Sequence, residues 1–271
     1  MIADADALTL APGVALECGQ LSDAVRGTAW PLNGSGVFVL GRAGSSVGEI
    51  ACDLADAFSL PVEEARGDVL RFAWHLNALA LVNIGRQEAL LRRFVDWLLL
   101  ALELAPAGAF PAPVARRRAL DTRTVPRAVG SCLVATMPRV VAVASFATVA
   151  IALSVGVVGA SGLGVSVALG LATGLGLGLH EAAHTALLRG VPSALVVRGR
   201  RTFVLHAPVG PTRRSIVALA GPLVVTLIGV AFSLAGTGLA DPGLTIAGCP
   251  LAAHALALTV AGGDGRIACG I

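Results

Sequence analysis

The sequence contains no lysine and no tyrosine, and it is poor in charge of either sign. Charged residues make up 14% of its 271 positions, whereas they make up about 25% of an average soluble domain. Arginine alone supplies the positive charge behind the net +3, a bias that reflects a GC-rich genome more than a function. The arginines cluster beside apolar segments, where membrane topology accounts for them. The charge therefore predicts no nucleic-acid partner.

Paired-cysteine motifs and a secretory signal are also missing. The cysteines are odd in number and never form C-x-x-C, so reduced thiols are favoured over a disulfide framework. The N-terminal sequence MIADADALTL is acidic and lacks the basic flank and apolar run of a signal peptide. We therefore expect the N-terminal region to stay in the cytoplasm. The five cysteines are Cys18, Cys52, Cys132, Cys249 and Cys269.

The charges that are present divide the chain into two parts. Residues 1–93 mix charged and apolar positions as a soluble domain does, whereas residues 140–188 contain a single charge, Glu181. We predict an α+β, winged-helix-like N-terminal domain followed by an all-α polytopic membrane domain with about four transmembrane helices. The expected boundaries are 1–90 for the first domain, 91–130 for an interfacial helix (94–104) with a Pro/Arg-rich linker, and 131–271 for the membrane domain.

Short strands and capped helices are predicted within the N-terminal domain. The stretches Leu8–Glu17 and Gly27–Leu32 are typical of short strands between turn residues. Ser46, followed three residues later by Glu49, is a capping-box signature that opens a helix over residues 45–58. A second helix is predicted to begin at Pro61. The predicted apolar faces hold Ile50, Leu54 and Phe58 in the first helix, and Val69, Phe72, Leu76 and Leu79 in the second.

Three short motifs follow one another along this domain. They are Leu32-Asn33, then Glu49-Ile50 with Leu54, then Asp68-Val69-Leu70, and a short strand follows them. This order, over nearly all of residues 8–85, resembles the PqqD-like family, the peptide-recognition elements of pathways that make ribosomal peptide natural products. The resemblance implies that a leader peptide docks as an added strand beside Gly27–Leu32 and facing the helix Val62–Leu79. A generic small winged helix is the alternative.

The resemblance also identifies candidate peptide-binding residues. Thr28, Ala29 and Trp30 lie on the predicted edge strand, where a bound peptide would find main-chain partners. Arg71 and His75 lie one turn apart on the facing helix and could meet acidic leader residues. An ordinary solvated helix face explains those two residues equally well.

Four apolar segments follow and predict a multi-pass protein of the cell membrane. Arginines flank them unevenly, since six lie between residues 116 and 139 and six between residues 189 and 214. The remaining loops, near Ser161 and at Gly238–Gly243, hold none. The positive-inside rule therefore places both termini, the N-terminal domain and the active site on the cytoplasmic side. The predicted spans are 139–159, 165–189, 215–236 and 244–262.

The sequence His180-Glu181-Ala182-Ala183-His184 carries the strongest chemical signal. Residues four apart share a helix face about 6 Å apart, which lets both imidazoles reach one zinc ion. Glu181 lies one position round the helix, where it could accept a proton from water instead of binding the metal. Histidines and a glutamate in an apolar helix cost several kcal/mol unless partners or a metal receive them. A metal site is therefore favoured over a chance match.

The sequence around this motif, GLGLHEAAHTALLRGV, resembles the site-2 protease family, in which HExxH lies on a membrane helix. The resemblance covers roughly residues 139–271. It includes SIVALAGPLVV at Ser215–Val225 and the late Gly263-Asp264-Gly265-Arg266. It implies that Asp264 is the third zinc ligand. The Asn and Pro residues that the family usually has before its Asp-Gly are missing, which makes Asp264 less secure than the two histidines.

Three other residues could supply the third ligand. Asp241 is predicted on the outer side of the membrane, a full membrane thickness from the motif. His254 lies in the middle of the predicted fourth span, too deep unless that helix is broken. His206 lies on the cytoplasmic loop and could approach, although such a histidine is more often solvated. Asp264 is predicted at the same end of its span as His184, and we therefore prefer it.

These patterns together predict a zinc metalloendopeptidase with Zn²⁺ as its cofactor. Its substrate would be a ribosomally made precursor peptide whose leader docks on the N-terminal domain. The peptidases of daptide-type pathways are the nearest system that the resemblance offers. One alternative is a regulatory site-2 protease that acts on a membrane-anchored substrate. Another is a non-catalytic membrane protein that binds a peptide for immunity or export.

Overall fold

The computed structural model describes residues 2–85, 114–154, 160–198 and 201–258. These residues belong to two compact units. The first unit includes the segment Pro192–Pro208, which lies between two long helices. The sequence predicts this segment as part of the membrane domain. The first unit comprises Met1–Ala119 and Pro192–Pro208, and the second comprises Leu120–Val191 and Val209–Ile271.

Small antiparallel sheets form the strand part of the first unit. One sheet pairs β1 with β5, and another has the order β2-β3-β4. The prediction of one strand over Leu8–Glu17 was wrong, because Gly13, at a φ of 79°, turns the chain and sends its two halves into different sheets. The strands are β1 (Ala7–Leu10), β2 (Val14–Glu17), β3 (Gln20–Asp23), β4 (Thr28–Pro31) and β5 (Val82–Gly85).

Three helices pack beside these strands: α1 (Gly34–Gly41), α2 (Val47–Phe58) and α3 (Val62–Ala78). The predicted capping box is confirmed, since the Ser46 hydroxyl accepts from the Glu49 N–H and the Glu49 carboxylate accepts from the Ser46 N–H. The predicted apolar faces were wrong at their ends, where Phe58 is 45% exposed and Leu79 is 38% exposed. Both residues lie where a helix stops, and Phe58 packs edge-on against the Phe38 ring at the margin of the core. The fully buried core residues include Leu8, Leu21, Ile50, Val69 and Leu81.

A further three-stranded sheet completes the first unit. Its antiparallel order is β6-β7-β8, with β6 at Ala115–Ala119, β7 at Ser193–Arg198 and β8 at Arg201–His206. Strand β6 corrects the prediction of a linker over this part of residues 91–130. The predicted interfacial helix at 94–104 lies outside the described residues.

Two asparagine side chains bind the edge of β6 that faces away from β7. Asn77 accepts from the Ala115 N–H at 2.8 Å and donates to the Ala115 carbonyl at 2.8 Å. Asn83 likewise accepts from the Arg117 N–H at 2.8 Å and donates to the Arg117 carbonyl at 2.9 Å. Each side-chain amide thus makes the pair of hydrogen bonds that a neighbouring strand would make.

A buried ion pair joins β3 to β6. The Arg117 guanidinium donates from Nη1 and Nη2 to the two carboxylate oxygens of Asp23, both at 2.7 Å, and both side chains are 0% exposed. Burial acts to raise the pKa of Asp23, but the hydrogen bonds and charge of Arg117 and the Val25 and Arg26 N–H groups together lower it. The stabilisation is therefore present at neutral pH and is lost as the pH falls through the lowered pKa.

The second unit is helical. Three of its helices are long and apolar enough to cross a membrane, as the sequence predicts for the first three spans. The first of these begins earlier than predicted, so Arg139 lies inside it and not before it. The helices are α4 (Val125–Ser154), α5 (Ala160–Ala186), α6 (Pro211–Gly238) and α7 (Pro242–Ala252).

The predicted fourth span differs from a continuous helix. Helix α7 ends at Ala252, and a 3-10 helix over Ala253–Leu258 continues the chain. Pro250 lies in the last turn of α7 and removes one backbone donor there. Among the described residues, the prediction of four long membrane helices is therefore corrected to three, followed by a shorter apolar helix.

Helices α4 and α5 pack closely because glycine lines their contact. A Cβ on Gly174 would lie 2.5 Å from the Val140 carbonyl oxygen, so any larger residue would push the helices apart. Hydroxyl groups in these helices donate back to carbonyls four residues earlier, as Thr148 and Thr173 do at 2.8 Å. Polar side chains are thus satisfied inside an apolar helix.

We expect Arg117→Met to destabilise the first unit by about 3 kcal/mol, because the Asp23 carboxylate loses its two buried hydrogen bonds and keeps only the partly exposed Arg26 as a counter-charge. The matched control is Arg42→Met, which removes an ion pair with Asp53 in which both side chains are at least 40% exposed. That control should cost no more than about 1 kcal/mol. Hydrogen exchange of β3 and β6 in the purified full-length chain measures both, and equal effects would contradict a central role for the buried pair.

Candidate functional site

The HExxH motif lies in the last two turns of α5. Helix α5 continues through the motif and ends at Ala186, so His180 and His184 are one turn apart on the same face. Ala182 and Ala183 are small residues that leave the helix regular between them. His180 is half-buried, while His184 is only 8% exposed.

The two imidazoles point their ring nitrogens at each other. The Nε2 atoms of His180 and His184 are 3.0 Å apart, and the ring centroids are 4.7 Å apart with the planes at 82°. Two nitrogen ligands with bonds of about 2.0–2.1 Å to one tetrahedral zinc lie about 3.3 Å apart. The observed spacing therefore fits two ligands of one metal ion.

The orientation of His184 is set by the backbone of α6. Its Nδ1 lies 2.5 Å from the carbonyl oxygen of Val217. Because a carbonyl only accepts, Nδ1 carries the proton and the lone pair is on Nε2, which is the nitrogen that faces His180. Metal-binding histidines in proteins usually have this second hydrogen bond, which fixes both the tautomer and the ring.

A glycine of α6 makes the room that this arrangement needs. A Cβ on Gly221 would lie 2.5 Å from the Nε2 atom of His184 and 2.9 Å from the Cδ2 atom of His180. Gly221 is the middle residue of the Ala220-Gly221-Pro222 sequence. Glycine is required here by close approach to the two rings, and not by an unusual backbone conformation.

Glu181 lies beside the histidines with a cation near it. The Thr185 hydroxyl donates to the Glu181 carbonyl at 2.7 Å, which anchors this turn of α5. Arg139 of α4 interacts electrostatically with Glu181. In the sequence, Arg139 is one of the positive-inside arginines before the first predicted span, whereas the structure places it within a membrane-length helix. A cation at such a position is a functional signal that the sequence alone could have raised.

A third histidine lies close to the pair. The ring centroid of His254, in the 3-10 helix, is 5.6 Å from that of His180. Within the part of the chain that the structure describes, no group of three or more His, Cys, Asp or Glu side chains is arranged to hold a metal. The histidine pair therefore fits zinc as a partial site that needs a further ligand.

The other predicted ligands are in different places. Asp264 lies outside the described residues, so its role stays a prediction. Asp241 caps the start of α7, where its carboxylate accepts from the Gly243 and Leu244 N–H groups. His206 ends β8 in the first unit, and its Nδ1 lies 2.7 Å from the Ala207 carbonyl oxygen.

The predicted edge strand is confirmed in the first unit. Strand β4 pairs only with β3 in the described sheet, and Thr28 and Ala29 are exposed while Trp30 packs partly against the core. The Leu32 N–H donates to the Gly19 carbonyl at 3.0 Å. In an antiparallel sheet, every second residue of a strand hydrogen-bonds through its backbone to the same neighbouring strand. Counting back from Leu32, the backbone groups of Thr28 and Trp30 bond to β3, and those of Ala29 and Pro31 face the open edge.

This alternation singles out one backbone group. Because Pro31 has no N–H, the Ala29 N–H is the backbone donor of β4 that faces the open edge. On α3, Arg71 and His75 are exposed as predicted. Arg71 is already paired with Asp68, which lowers its availability to an acidic peptide.

Comparison with known proteins supports the N-terminal assignment. Residues 19–82 match the family model of coenzyme PQQ synthesis protein D (PqqD). The chain thus has an N-terminal PqqD-like domain followed by three long apolar helices. PqqD domains bind peptides or partner proteins. No curated protein and no solved structure matches the chain.

For the zinc ion that the sequence predicts, we expect Gly221→Ala to weaken binding by at least about tenfold, the lower range for residues that hold a ligand in place. The added Cβ would displace the two imidazoles of the pair. Gly238→Ala is the control on the same helix, since a Cβ there meets no atom within 4 Å. Competition with a chromophoric chelator measures the affinity. A glycine-to-alanine effect of equal size at both positions would contradict this account of Gly221.

Proposed function

We propose that the chain is a zinc endopeptidase of the site-2 protease type that cleaves a precursor peptide docked on its PqqD-like domain. The observation that carries the proposal is the histidine pair, with Nε2 atoms 3.0 Å apart and His184 held by the Val217 carbonyl. This geometry brings two imidazole nitrogens together on one face of a membrane-length helix, and a zinc ion would take the place of any proton between them.

Each residue of the site has a role in this proposal. His180 and His184 would hold the zinc, and the resemblance implies Asp264 as the third ligand. Zinc, when bound, polarises a peptide carbonyl and makes water a stronger nucleophile. Glu181 accepts the proton that water gives up and returns it to the leaving amine. Arg139 adds a positive charge near the carboxylate of Glu181.

The N-terminal domain would select the substrate. In this proposal it is a winged-helix-like recognition module, and the leader of a ribosomally made precursor adds to the open edge of β4. Main-chain hydrogen bonds to Ala29 would supply affinity, while Trp30 and the exposed face of α3 would read side chains. A precursor whose leader is bound to the first unit stays tethered to the chain, which raises the effective concentration of its cleavage segment at the active site.

The proposed location is the cell membrane, with the N-terminal domain and the active site on the cytoplasmic side. Three long apolar helices support a multi-pass protein. The arginine-rich segments before α4 and between α5 and α6 support the orientation by the positive-inside rule. Arg117 does not contribute to that rule, because Asp23 neutralises it in the core.

We predict that the detergent-purified protein holds about one zinc per chain. His180→Ala or His184→Ala should abolish this binding, because either change removes one of the few protein ligands that hold the ion. Glu181→Gln should keep the zinc and lose hydrolysis. His206→Ala removes a histidine of the first unit and should keep the zinc. Metal analysis and peptide cleavage are measured on the same samples, and zinc that survives His180→Ala would refute the metal site.

We further predict that Ala29→Pro weakens leader binding about fivefold, as expected for loss of one hydrogen bond worth about 1 kcal/mol. Ala29→Val keeps the N–H and is the matched control. Thr28→Pro should instead damage the β3–β4 pairing, since its N–H faces β3. Titration of the full-length protein with a labelled leader, taken from a precursor gene beside its own, gives the affinities. Equal binding by both Ala29 variants would argue against strand addition.

A further inference from the structure

Three helix ends meet at one end of the second unit, and each brings arginines to it. The Thr122 hydroxyl, just before α4, donates to the Val191 carbonyl, just after α5, at 2.7 Å. Arg213, in the first turn of α6, donates to the carbonyls of Leu187 and Arg189 after α5, at 2.8 Å and 3.1 Å. The start of α4, the end of α5 and the start of α6 therefore lie together. The arginines of this end, called the arginine surface below, are Arg123, Arg127, Arg189, Arg213 and Arg214, and all are exposed.

Acidic groups neutralise little of this charge. Asp121 is the one acidic residue in the same segments, 120–127, 187–191 and 209–216. Its carboxylate lies 3.9 Å from Arg123 Nε and 3.7 Å from Arg127 Nη1, beyond the distance of a hydrogen bond. Among the described residues, no acidic side chain forms an ion pair with Arg189 or Arg214. Five arginines against one aspartate leave this end with a formal charge of +4.

Exposed apolar side chains lie directly beside the arginines. Val125 is 42% exposed, Leu187 39% and Ile216 53%, and each is two residues from an arginine of the surface. A phospholipid offers both kinds of partner at once, because its charged headgroup is joined to apolar chains. An acidic peptide or a nucleic acid would pair with the arginines and leave these apolar side chains in water. The combination therefore favours an anionic lipid over those two partners.

We propose that the arginine surface binds the phosphate groups of anionic phospholipids in the leaflet that surrounds this end of the helices. A guanidinium binds phosphate through paired, charge-assisted hydrogen bonds. Arg213 also joins α6 to the end of α5, so the surface has a fixed frame. The positive-inside rule describes how arginines orient a chain during insertion, whereas this proposal concerns lipids that the folded protein keeps. It depends on the membrane helices and not on the zinc site.

The test counts the lipids that stay bound to the full-length protein purified in detergent. The protein is stripped of lipid and mixed with equal amounts of phosphatidylglycerol and phosphatidylcholine of the same acyl chains, and native mass spectrometry measures what is retained. We expect at least about fivefold more phosphatidylglycerol, the preference that corresponds to one arginine worth about 1 kcal/mol near anionic lipid. Salt at 1 M should remove most of this preference, because it shortens the Debye length to about 3 Å.

Variants locate the preference on the arginine surface. Arg189→Gln combined with Arg214→Gln should lower it by at least about fivefold, because these two arginines are exposed and have no acidic partner among the described residues. Arg189→Lys combined with Arg214→Lys keeps the charge and should keep most of the preference. The matched control is Arg42→Gln combined with Arg66→Gln, which removes the same charge from the first unit and should change nothing.

Several outcomes would overturn the inference. Equal retention of the two lipids by the parent protein is one, and an equal loss of preference in the control is another. Loss of preference in the lysine variant would indicate a packing role for these side chains in place of charge. Displacement of phosphatidylglycerol by an equimolar ten-residue polyglutamate peptide would identify an acidic peptide as the partner. His180→Ala should leave the lipid preference unchanged, so a failure of the proposed zinc site is distinguishable from a failure of this inference.

Discussion

The buried pair of Arg117 and Asp23 is the interaction on which the first unit depends. It connects β3, which lies inside the PqqD-like match, to β6, which lies outside it. Strand β6 in turn pairs with β7, so the unit combines residues from distant parts of the chain. A pair of this kind contributes little net stability over apolar residues, but breaking it is costly. The pair therefore contributes to the specificity with which β3 packs against β6.

The candidate site follows from a different constraint, the need to satisfy polar groups among apolar helices. Two of the three histidines at the site have one nitrogen assigned by a backbone carbonyl, from Val217 for His184 and from Pro250 for His254. Two glycines, Gly221 and Gly176, remove the side chains that would block the rings. Carbonyls and glycines of the surrounding helices thus help to position the imidazoles.

Local signals in the sequence predicted the local structure well. The capping box at Ser46, the edge strand at β4 and the first three long apolar helices follow from patterns of a few neighbouring residues. Strand β6 did not follow from such patterns, since its partners lie far along the chain. The split at Gly13 and the end of α7 after Pro250 have local signals, but a single glycine or proline does not by itself show where an element ends. The pairing of β6 with residues after α5 has no local pattern at all. Asp264 and the helix predicted at 94–104 stay predictions.

The membership of Pro192–Pro208 in the first unit has a consequence for biogenesis. A ribosome makes the chain from its N-terminus, and domains generally fold as their residues emerge. Strands β7 and β8 emerge only after Leu120–Val191, which includes two of the membrane-length helices. The first unit is therefore complete only once those helices have been synthesised. Because its residues lie in two separate segments of the chain, recombination at a single point in the gene cannot transfer the whole unit to another protein.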